Sequence, residues 1–195
     1  MTAATPVRVV SFCGSIRRGS FNEAVLSLAE RMCREAGADI DSLRLDDFPM
    51  DLYNADDHRE SGIPAETHAL YARVTAADAV LIASPEYNGG YTPLLKNTID
   101  WLSRIDKFVL YPRLVGLIAV TPGRMAGANV LAQTTGMLES MAIRVHEGLG
   151  IGQCREVVID GVLEDEDQVD RLASWTSNFV KAVEMHAQDP PVPPT

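Results

Sequence analysis

The first segment with the chemistry of a binding site is a polar loop that follows a short β-branched run at residues 7–13. This loop, residues 14–22, which we call loop one, carries hydroxyl, guanidinium and amide donors on Ser15, Ser20, Arg17 and Asn22. A helix is predicted to begin at its end, and a helix N-terminus offers unpaired N–H groups and partial positive charge. Together these donors suit the dianion of a phosphate monoester, held without a metal.

Loop one matches neither the GxGxxG fingerprint nor the GxxxxGK[ST] loop, and the missing lysine argues against transfer of a γ-phosphate. It also has a purely structural interpretation, because Ser20 and Glu23 match a capping box. For Ser20 alone the two interpretations are equally supported, and Arg18 is expected to be exposed. The position of the loop after the first strand favours phosphate binding for the segment as a whole, since ligands of open α/β sheets lie at the carboxyl ends of strands.

A second polar segment, residues 84–93 or loop two, has the composition of a ring-binding turn. The pair Gly89-Gly90 lets the backbone approach a flat ligand closely, and Asn88 can both donate to and accept from a pyrimidine-like ring edge. Tyr87 and Tyr91 offer aromatic surface to a ring or to a partner subunit. The alternative is a hairpin-like Asn-Gly turn, which is a strong signal only between strands, whereas a helix is predicted to follow here.

Apolar runs and helical periods alternate along the rest of the chain. The runs that predict strands are residues 7–13, 40–45, 79–83, 114–120 and 143–147. Helical spacing fills most of the intervals, a helix is expected to open at Thr92 and Pro93, and residues 46–64 are expected to form a long loop. This alternation predicts an α/β fold with a parallel sheet covered by helices on both faces, in either the Rossmann or the flavodoxin-like strand order.

The composition excludes several classes of function. A net charge of −10 argues against a nucleic-acid binder, and no apolar run is long enough to span a membrane. Cys13, Cys33 and Cys154 form no CxxC pair or metal cluster, which favours a reducing cytoplasm and no bound metal. We expect residues 1–187 to form one domain and the proline-rich residues 188–195 to be a disordered tail.

Three motifs resemble the NADPH-dependent FMN reductase family, which includes quinone, azo-dye and chromate reductases. They are Gly14-Ser15-Ile16-Arg17 with Ser20 and Asn22, then Pro85-Glu86-Tyr87-Asn88, then residues 95–101, LKNTIDW. In the order of its elements the resemblance covers about residues 7–185. It implies a flavodoxin-like three-layer sandwich with a five-stranded parallel sheet in the order 2-1-3-4-5 and non-covalently bound FMN.

The resemblance also implies which residues hold the cofactor. It assigns Ser15, Arg17, Ser20 and Asn22 to the FMN phosphate, with Phe21 beside them. Pro85, Glu86, Tyr87, Asn88 and Gly89 are assigned to the isoalloxazine and ribityl region. Glu86 is expected to act through its backbone, because a carboxylate facing reduced, anionic flavin is unfavourable.

A third segment, residues 121–127 or loop three, resembles a Ser-Pro-Gly-x-x-Gly-Gly pattern of the family. It adds Gly123 and Arg124 as candidates for flavin contact. Ala126 replaces one glycine, and Asn129 stands where an arginine is common. The alternative interpretation is a lead-in to a helix, with glycines that turn the chain.

The expected function is transfer of electrons from NADPH or NADH, through bound FMN, to small acceptors such as quinones or free flavin by a ping-pong mechanism. The flavin carries the chemistry, so no protein acid or base is expected. The alternative is a flavodoxin-like FMN electron carrier that does not oxidise NAD(P)H itself. The family resemblance, with Trp101 and Tyr91 near loop two, suggests a homodimer or homotetramer.

Overall fold

The fold is built on one parallel sheet, and the computed structural model describes residues 5–188 of the chain. Its elements, in chain order, are β1 (Arg8–Cys13), α1 (Phe21–Glu35), β2 (Asp39–Leu43), α2 (Ala55–Ser61), α3 (Ala65–Thr75), β3 (Ala79–Ala83), α4 (Pro93–Ile105), β4 (Leu114–Val120), α5 (Ala128–Glu139), β5 (Arg144–Val145), β6 (Leu149–Ile151), α6 (Cys154–Val157), β7 (Val158–Ile159), β8 (Val162–Leu163) and α7 (Glu166–Gln188). A short 3₁₀ turn, Leu45–Asp47, follows β2. No helix among residues 5–188 has the length and apolar character needed to cross a bilayer.

The strand order confirms the flavodoxin-like prediction. The sheet runs β2-β1-β3-β4-β5, every pairing in it is parallel, and β6 also pairs with β4. The chain therefore leaves β1 toward one edge of the sheet and returns to its other side at β3. Loops after β1 and β3 diverge at this reversal, which opens a crevice at the carboxyl ends of the strands.

Alternate side chains of the strands feed two separate cores, one on each face of the sheet. On one face Val9 and Leu81 pack in the core that includes residues of α1 and α7. On the other face Val10 and Val80 pack in the core that includes residues of α3 and α4. The strands are buried on both faces, which is why β3 and β4 read as unbroken apolar runs in the sequence.

The last strand differs from the prediction. Residues 143–147 were expected to form it, whereas the sheet edge consists of two short strands, β5 and β6, that pair with opposite ends of β4. Helical and strand patterns miss β6 because glycines flank its apolar residues. Gly150 in β6 is required by space, since a Cβ there would lie 2.1 Å from the carbonyl oxygen of Ala126.

Two further expectations on element boundaries were wrong. Residues 46–64 are not a plain loop, because they include the end of the 3₁₀ turn and all of α2, whose first turn is capped by the side chain of Asn54. Helix α2 buries none of its residues, so it has no apolar stripe for a sequence pattern to detect. Gln188, placed in the proline-rich tail, is the last residue of α7, and the rest of that expected tail lies outside the described residues.

One polar side chain ties the first turn of α1 to the end of β4. The Asn22 side chain is 2% exposed; its Nδ2 donates to the carbonyl oxygen of Val120 at 2.8 Å, and its Oδ1 accepts from the N–H of Val120 at 2.9 Å. Both backbone groups of Val120 are thus satisfied by a single side chain. This pair of bonds fixes the N-terminus of α1 against the carboxyl edge of the sheet.

Replacement of Asn22 by alanine should destabilise the protein markedly. Asn22→Ala leaves a buried N–H and a buried C=O of Val120 without partners, at a cost of about 2–4 kcal/mol in the free energy of unfolding. Urea denaturation of the flavin-free protein should give a lower midpoint at an unchanged slope. Asn129→Ala is the matched control, because the exposed Asn129 amide makes only a 3.4 Å contact. Equal midpoints for Asn22→Ala and the control would contradict this account.

Candidate cofactor site at the carboxyl ends of the strands

Loops one, two and three meet above β1, β3 and β4 around a pocket of about 450 Å³. Eight of the residues predicted to bind a cofactor line it: Ser15, Arg17, Ser20, Phe21, Asn22, Pro85, Glu86 and Tyr87. Four do not belong to its lining within the described chain: Asn88, Gly89, Gly123 and Arg124. The pocket has the size expected for a small-molecule site.

The geometry of loop one favours an anion over the capping interpretation. Ser20 occupies the N-cap position of α1 but makes no side-chain cap hydrogen bond. Glu23, the other member of the supposed capping box, lies 4.0 Å from Arg44 instead. The N–H groups of the first turn of α1 therefore keep their donor capacity beside the buried hydroxyls of Ser15 and Ser20.

Arg17 brings positive charge to the same pocket. Its guanidinium lies 5.7 Å from the centre of the Phe21 ring and makes one long hydrogen bond, 3.4 Å, to the carbonyl oxygen of Arg18. No carboxylate in the described part of the chain forms an ion pair with Arg17. Arg17 therefore brings an unpaired positive charge to the wall of the pocket in a chain of net charge −10.

Asn22 serves the site differently from the sequence expectation. The amide that was expected to donate to a phosphate is committed to the backbone of Val120. What Asn22 can offer a ligand is its backbone N–H in the first turn of α1. Its side chain holds that turn in place, so its contribution to the pocket is one of position.

Cys13, at the end of β1, is not a reactive thiol. Burial in the core, reinforced by the negative charge of Glu23, raises the pKa of Cys13 to about 12. The side chain therefore stays protonated at any physiological pH and cannot serve as a nucleophile.

Loop two does contain the tight Asn-Gly turn that the sequence made less favourable. Asn88 and Gly89 both have positive φ, 52° and 80°, and Tyr87 and Gly90 exchange backbone hydrogen bonds of 2.9 and 3.0 Å. The turn forms without flanking strands because helix α5 holds it from the side. Gln133 Nε2 donates to the carbonyl oxygen of Gly89 at 2.6 Å.

The carboxylate of Glu86 is hydrogen-bonded to the first turn of α5. It accepts the N–H of Val130, in the first turn of α5, at 3.1 Å and a longer 3.4 Å contact from Asn129. A carboxylate at a helix N-terminus is stabilised by the unpaired N–H groups and the helix dipole. Glu86 can thus contribute backbone groups to the pocket while its negative charge is held by α5.

Loop three is chiefly a lead-in to helix α5. Gly127 precedes α5 with φ of 73°, and a Cβ on it would lie 2.6 Å from the Cβ of Ala119. Gly123 and Arg124, the residues that the resemblance proposed for flavin contact, lie beyond the pocket lining, while Thr121 and Pro122 belong to it. Gly127 is therefore explained by chain turning and close packing.

Sequence reasoning missed a fourth contributing segment, Cys154 and Arg155 in α6. It follows β6, so its position at the carboxyl edge could be inferred only if the split edge strand had been recognised. The sequence signal for β6 is the apolar residue Ile151 between two glycines, and this signal is too weak to predict a strand. Arg155 brings a second guanidinium to the pocket, whose lining does not include the expected Arg124.

A second cavity of about 650 Å³ adjoins loop one between residues 45–66 and helix α4. Ile16 and Leu94 line it, and Trp101 forms part of its wall. Trp101 is 3% exposed, donates its Nε1–H to the carbonyl oxygen of Asp51 at 2.7 Å, and packs edge-on to Tyr53. The expectation that Trp101 lies at a subunit interface is therefore not supported, because its ring is buried within this chain.

Comparison with known proteins shows the family of the chain. The family model for NADPH-dependent FMN reductases matches residues 7–153. A quinone reductase of Escherichia coli (strain K12) is 33% identical over 178 residues, which cover 89% of this chain and 93% of the relative. An NAD(P)H-dependent FMN reductase of Pseudomonas aeruginosa is 32% identical over 123 residues, 63% of this chain and 64% of the relative.

The fold has a close match among solved structures. The flavoenzyme NAD(P)H:(acceptor) oxidoreductase FerB from Paracoccus denitrificans superposes with a TM-score of 0.77 over 92% of this chain and 98% of that one, at 23% identity. That likeness supports the architecture, and the family model and sequence relatives support the assignment. The chain therefore belongs to the NADPH-dependent FMN reductase family, a family of oxidoreductases that use FMN and are driven by NAD(P)H.

Proposed function

We propose that the chain holds FMN with its phosphate in the 450 Å³ pocket and transfers electrons from NADPH or NADH to small acceptors such as quinones or free flavin. The observation that carries this proposal is the set of donors at the first turn of α1. Unpaired N–H groups, two buried hydroxyls and the unpaired guanidinium of Arg17 face one pocket at the reversal of the strand order. The named relatives, quinone and FMN reductases, support the choice of acceptors.

The residues present fit the cofactor. A phosphate monoester needs several convergent donors and positive charge, and loop one supplies both without a metal. The turn of loop two uses the N–H groups of Tyr87 and Gly90, so those of Asn88 and Gly89 have no acceptor among residues 5–188. Such donors suit the pyrimidine edge of an isoalloxazine ring, where they would favour negative charge.

Bound FMN would supply the hydride-accepting and electron-transferring ring chemistry. The protein's task is to bind and orient. Ser15, Ser20 and Arg17 would anchor the phosphate, while Pro85, Tyr87 and the loop-two backbone would position the ring. The described lining residues include no histidine, Glu86 is held by α5, and burial raises the pKa of the Cys154 thiol. The proposal therefore assigns no general acid or base to the protein and takes the protons from solvent.

We further infer a cytoplasmic location and one domain over residues 1–187. Cys13, Cys33 and Cys154 are all buried and unpaired, which suits a reducing compartment. Helices pack on both faces of the one large sheet, which supports a single domain.

We also propose a homodimer or homotetramer, with the carboxyl edge of the sheet as the contact region. Large apolar side chains are exposed on the segments around the two cavities, among them Leu52 at 78% and Met125 at 74%. Ile16 and Tyr87 are each 50% exposed beside them. A second copy would cover these side chains and narrow the mouth of the site.

Light scattering at micromolar concentration should therefore give two or four times the chain mass. Leu52→Ser should weaken the association, whereas replacement of an apolar residue far from this edge, Met185→Ser, should leave the mass unchanged. A monomer that retains bound FMN and full activity would contradict the proposed assembly.

The role of Arg17 is tested by comparing FMN with riboflavin, which lacks the phosphate. Arg17→Ala removes a charge-assisted contact worth about 1.5–3 kcal/mol, so FMN should bind about 10- to 100-fold more weakly. Riboflavin affinity should be nearly unchanged. Equal FMN affinity for wild type and Arg17→Ala in a fluorescence titration would remove Arg17 from the phosphate site.

The reaction itself is tested by anaerobic stopped-flow absorbance of the FMN-loaded protein. NADPH or NADH should bleach the flavin band, and a benzoquinone should restore it. Initial rates at several fixed acceptor concentrations should give parallel double-reciprocal lines, since donor and acceptor use the same site in turn. If dithionite bleaches the flavin band but neither nucleotide does, the chain is an electron carrier. That outcome would refute the reductase function.

A further inference from the structure

Arg155 is an exposed guanidinium on the wall of the cofactor pocket that no motif of the sequence predicted. It lies in α6, directly after β6, and therefore at the same carboxyl edge as loop one. Arg17, which precedes α1 in the sequence, lines the same pocket. Two arginines from separate segments thus border one cavity of about 450 Å³.

The backbone around Arg155 is fixed by hydrogen bonds to loop three. Gln153 has a positive φ of 52°, which turns the chain into α6, and its N–H makes a 3.4 Å bond to the carbonyl oxygen of Gly123. The N–H of Cys154 donates to the carbonyl oxygen of Thr121 at 3.1 Å. The chain position that carries Arg155 is therefore anchored to the end of β4.

The charge of Arg155 is left without a partner. Its sequence neighbour Glu156 accepts from Gln153 Nε2 at 2.7 Å, and the pocket's own carboxylate, Glu86, caps α5. Among residues 5–188 neither Arg155 nor Arg17 forms an ion pair, although the chain carries 27 acidic residues. Two unneutralised guanidinium groups beside one pocket would repel each other, and that repulsion is relieved by a dianion.

The positive charges of Arg155 and Arg17 both affect the pKa of the buried Cys154 thiol. Burial raises its pKa, and the charges of Arg155 and Arg17 act in the opposite direction. The two guanidinium groups are thus close enough to influence the same buried sulfur atom. This agrees with the pocket lining in placing them around a common space.

We propose that Arg155 is a second cationic ligand of the FMN phosphate, facing Arg17, and that it sets the preference of this chain for phosphorylated over unphosphorylated flavin. This inference rests on the proposed function. The shared chemistry is recognition of a phosphate dianion, and the other phosphate that the reaction brings to this edge belongs to the nicotinamide nucleotide.

The first test is a titration of the flavin-free protein with FMN and with riboflavin. Arg155→Met should weaken FMN binding by about 5- to 20-fold, since one partly solvated charge-assisted contact is lost, and should leave riboflavin affinity within about twofold. Arg155→Lys should recover part of the FMN affinity. Arg31→Met, on the exposed side of α1 well beyond its first turn, changes the net charge equally and should alter neither affinity.

A double variant tests whether the two arginines act on one phosphate. The combined loss of FMN affinity in Arg17→Ala with Arg155→Met should differ from the sum of the single losses, because both contact the same dianion. The dependence of FMN affinity on salt should also be shallower in Arg155→Met than in wild type. Additive losses with an unchanged salt dependence would overturn the proposal.

Further outcomes distinguish the sources of phosphate. If Arg155→Met leaves FMN affinity unchanged but lowers kcat/KM for NADPH relative to NADH, Arg155 recognises the nucleotide and the proposal is wrong. If the wild-type protein binds no FMN, the proposed function and the proposal on Arg155 are both refuted. If FMN affinity falls equally in Arg155→Met and Arg31→Met, the effect is one of net charge and the specific role of Arg155 is refuted.

Discussion

The two hydrogen bonds between the Asn22 side chain and the backbone of Val120 fix the geometry on which the site depends. They join the first turn of α1, which follows β1, to the end of β4. Strands β1 and β4 are not neighbours in the sheet, because β3 lies between them. Loop one is held on its other side as well, because Thr92 Oγ1 donates to the carbonyl oxygen of Gly14 at 2.7 Å. The free N–H groups of α1 therefore point into a crevice whose walls are built from three separate strands.

The charges around the pocket favour an anionic ligand. The chain as a whole is acidic, so an anion approaches against an unfavourable field unless local groups oppose it. Glu86, the acidic residue that lines the pocket, accepts a hydrogen bond from the N-terminus of α5. The guanidinium groups of Arg17 and Arg155 remain for a ligand. The same separation of roles explains why Asn22 and Glu86, although they line the pocket, act mainly on the protein that surrounds it.

Much of the fold could be predicted from the sequence because β1, β3 and β4 are buried on both faces and read as continuous apolar runs. The strand order itself came from the family resemblance. Helix α2 and strand β6 escaped prediction for opposite reasons. Helix α2 buries no side chain and so has no periodicity, and β6 is interrupted by Gly150, which close packing against Ala126 requires.

Residue type alone marked Ser15, Ser20 and Arg17 as candidates, and all three line the pocket. The site was not predictable where the partner is backbone, since no pattern indicates that the Asn22 amide is taken by Val120 or that Gln133 holds Gly89. The interface role suggested for Trp101 failed for a similar reason. An aromatic residue on an amphipathic helix can face solvent or a neighbouring loop, and here residues 50–53 cover it.

In the proposed function, the carboxyl-edge pocket between loop one and α6 receives the phosphate of FMN. A crystal structure of the chain grown with FMN tests this most directly. We expect the phosphorus atom to lie in the 450 Å³ pocket, with oxygens within hydrogen-bond distance of Ser15, Ser20 and the first turn of α1. An FMN phosphate found elsewhere, with this pocket filled by water, would contradict the account.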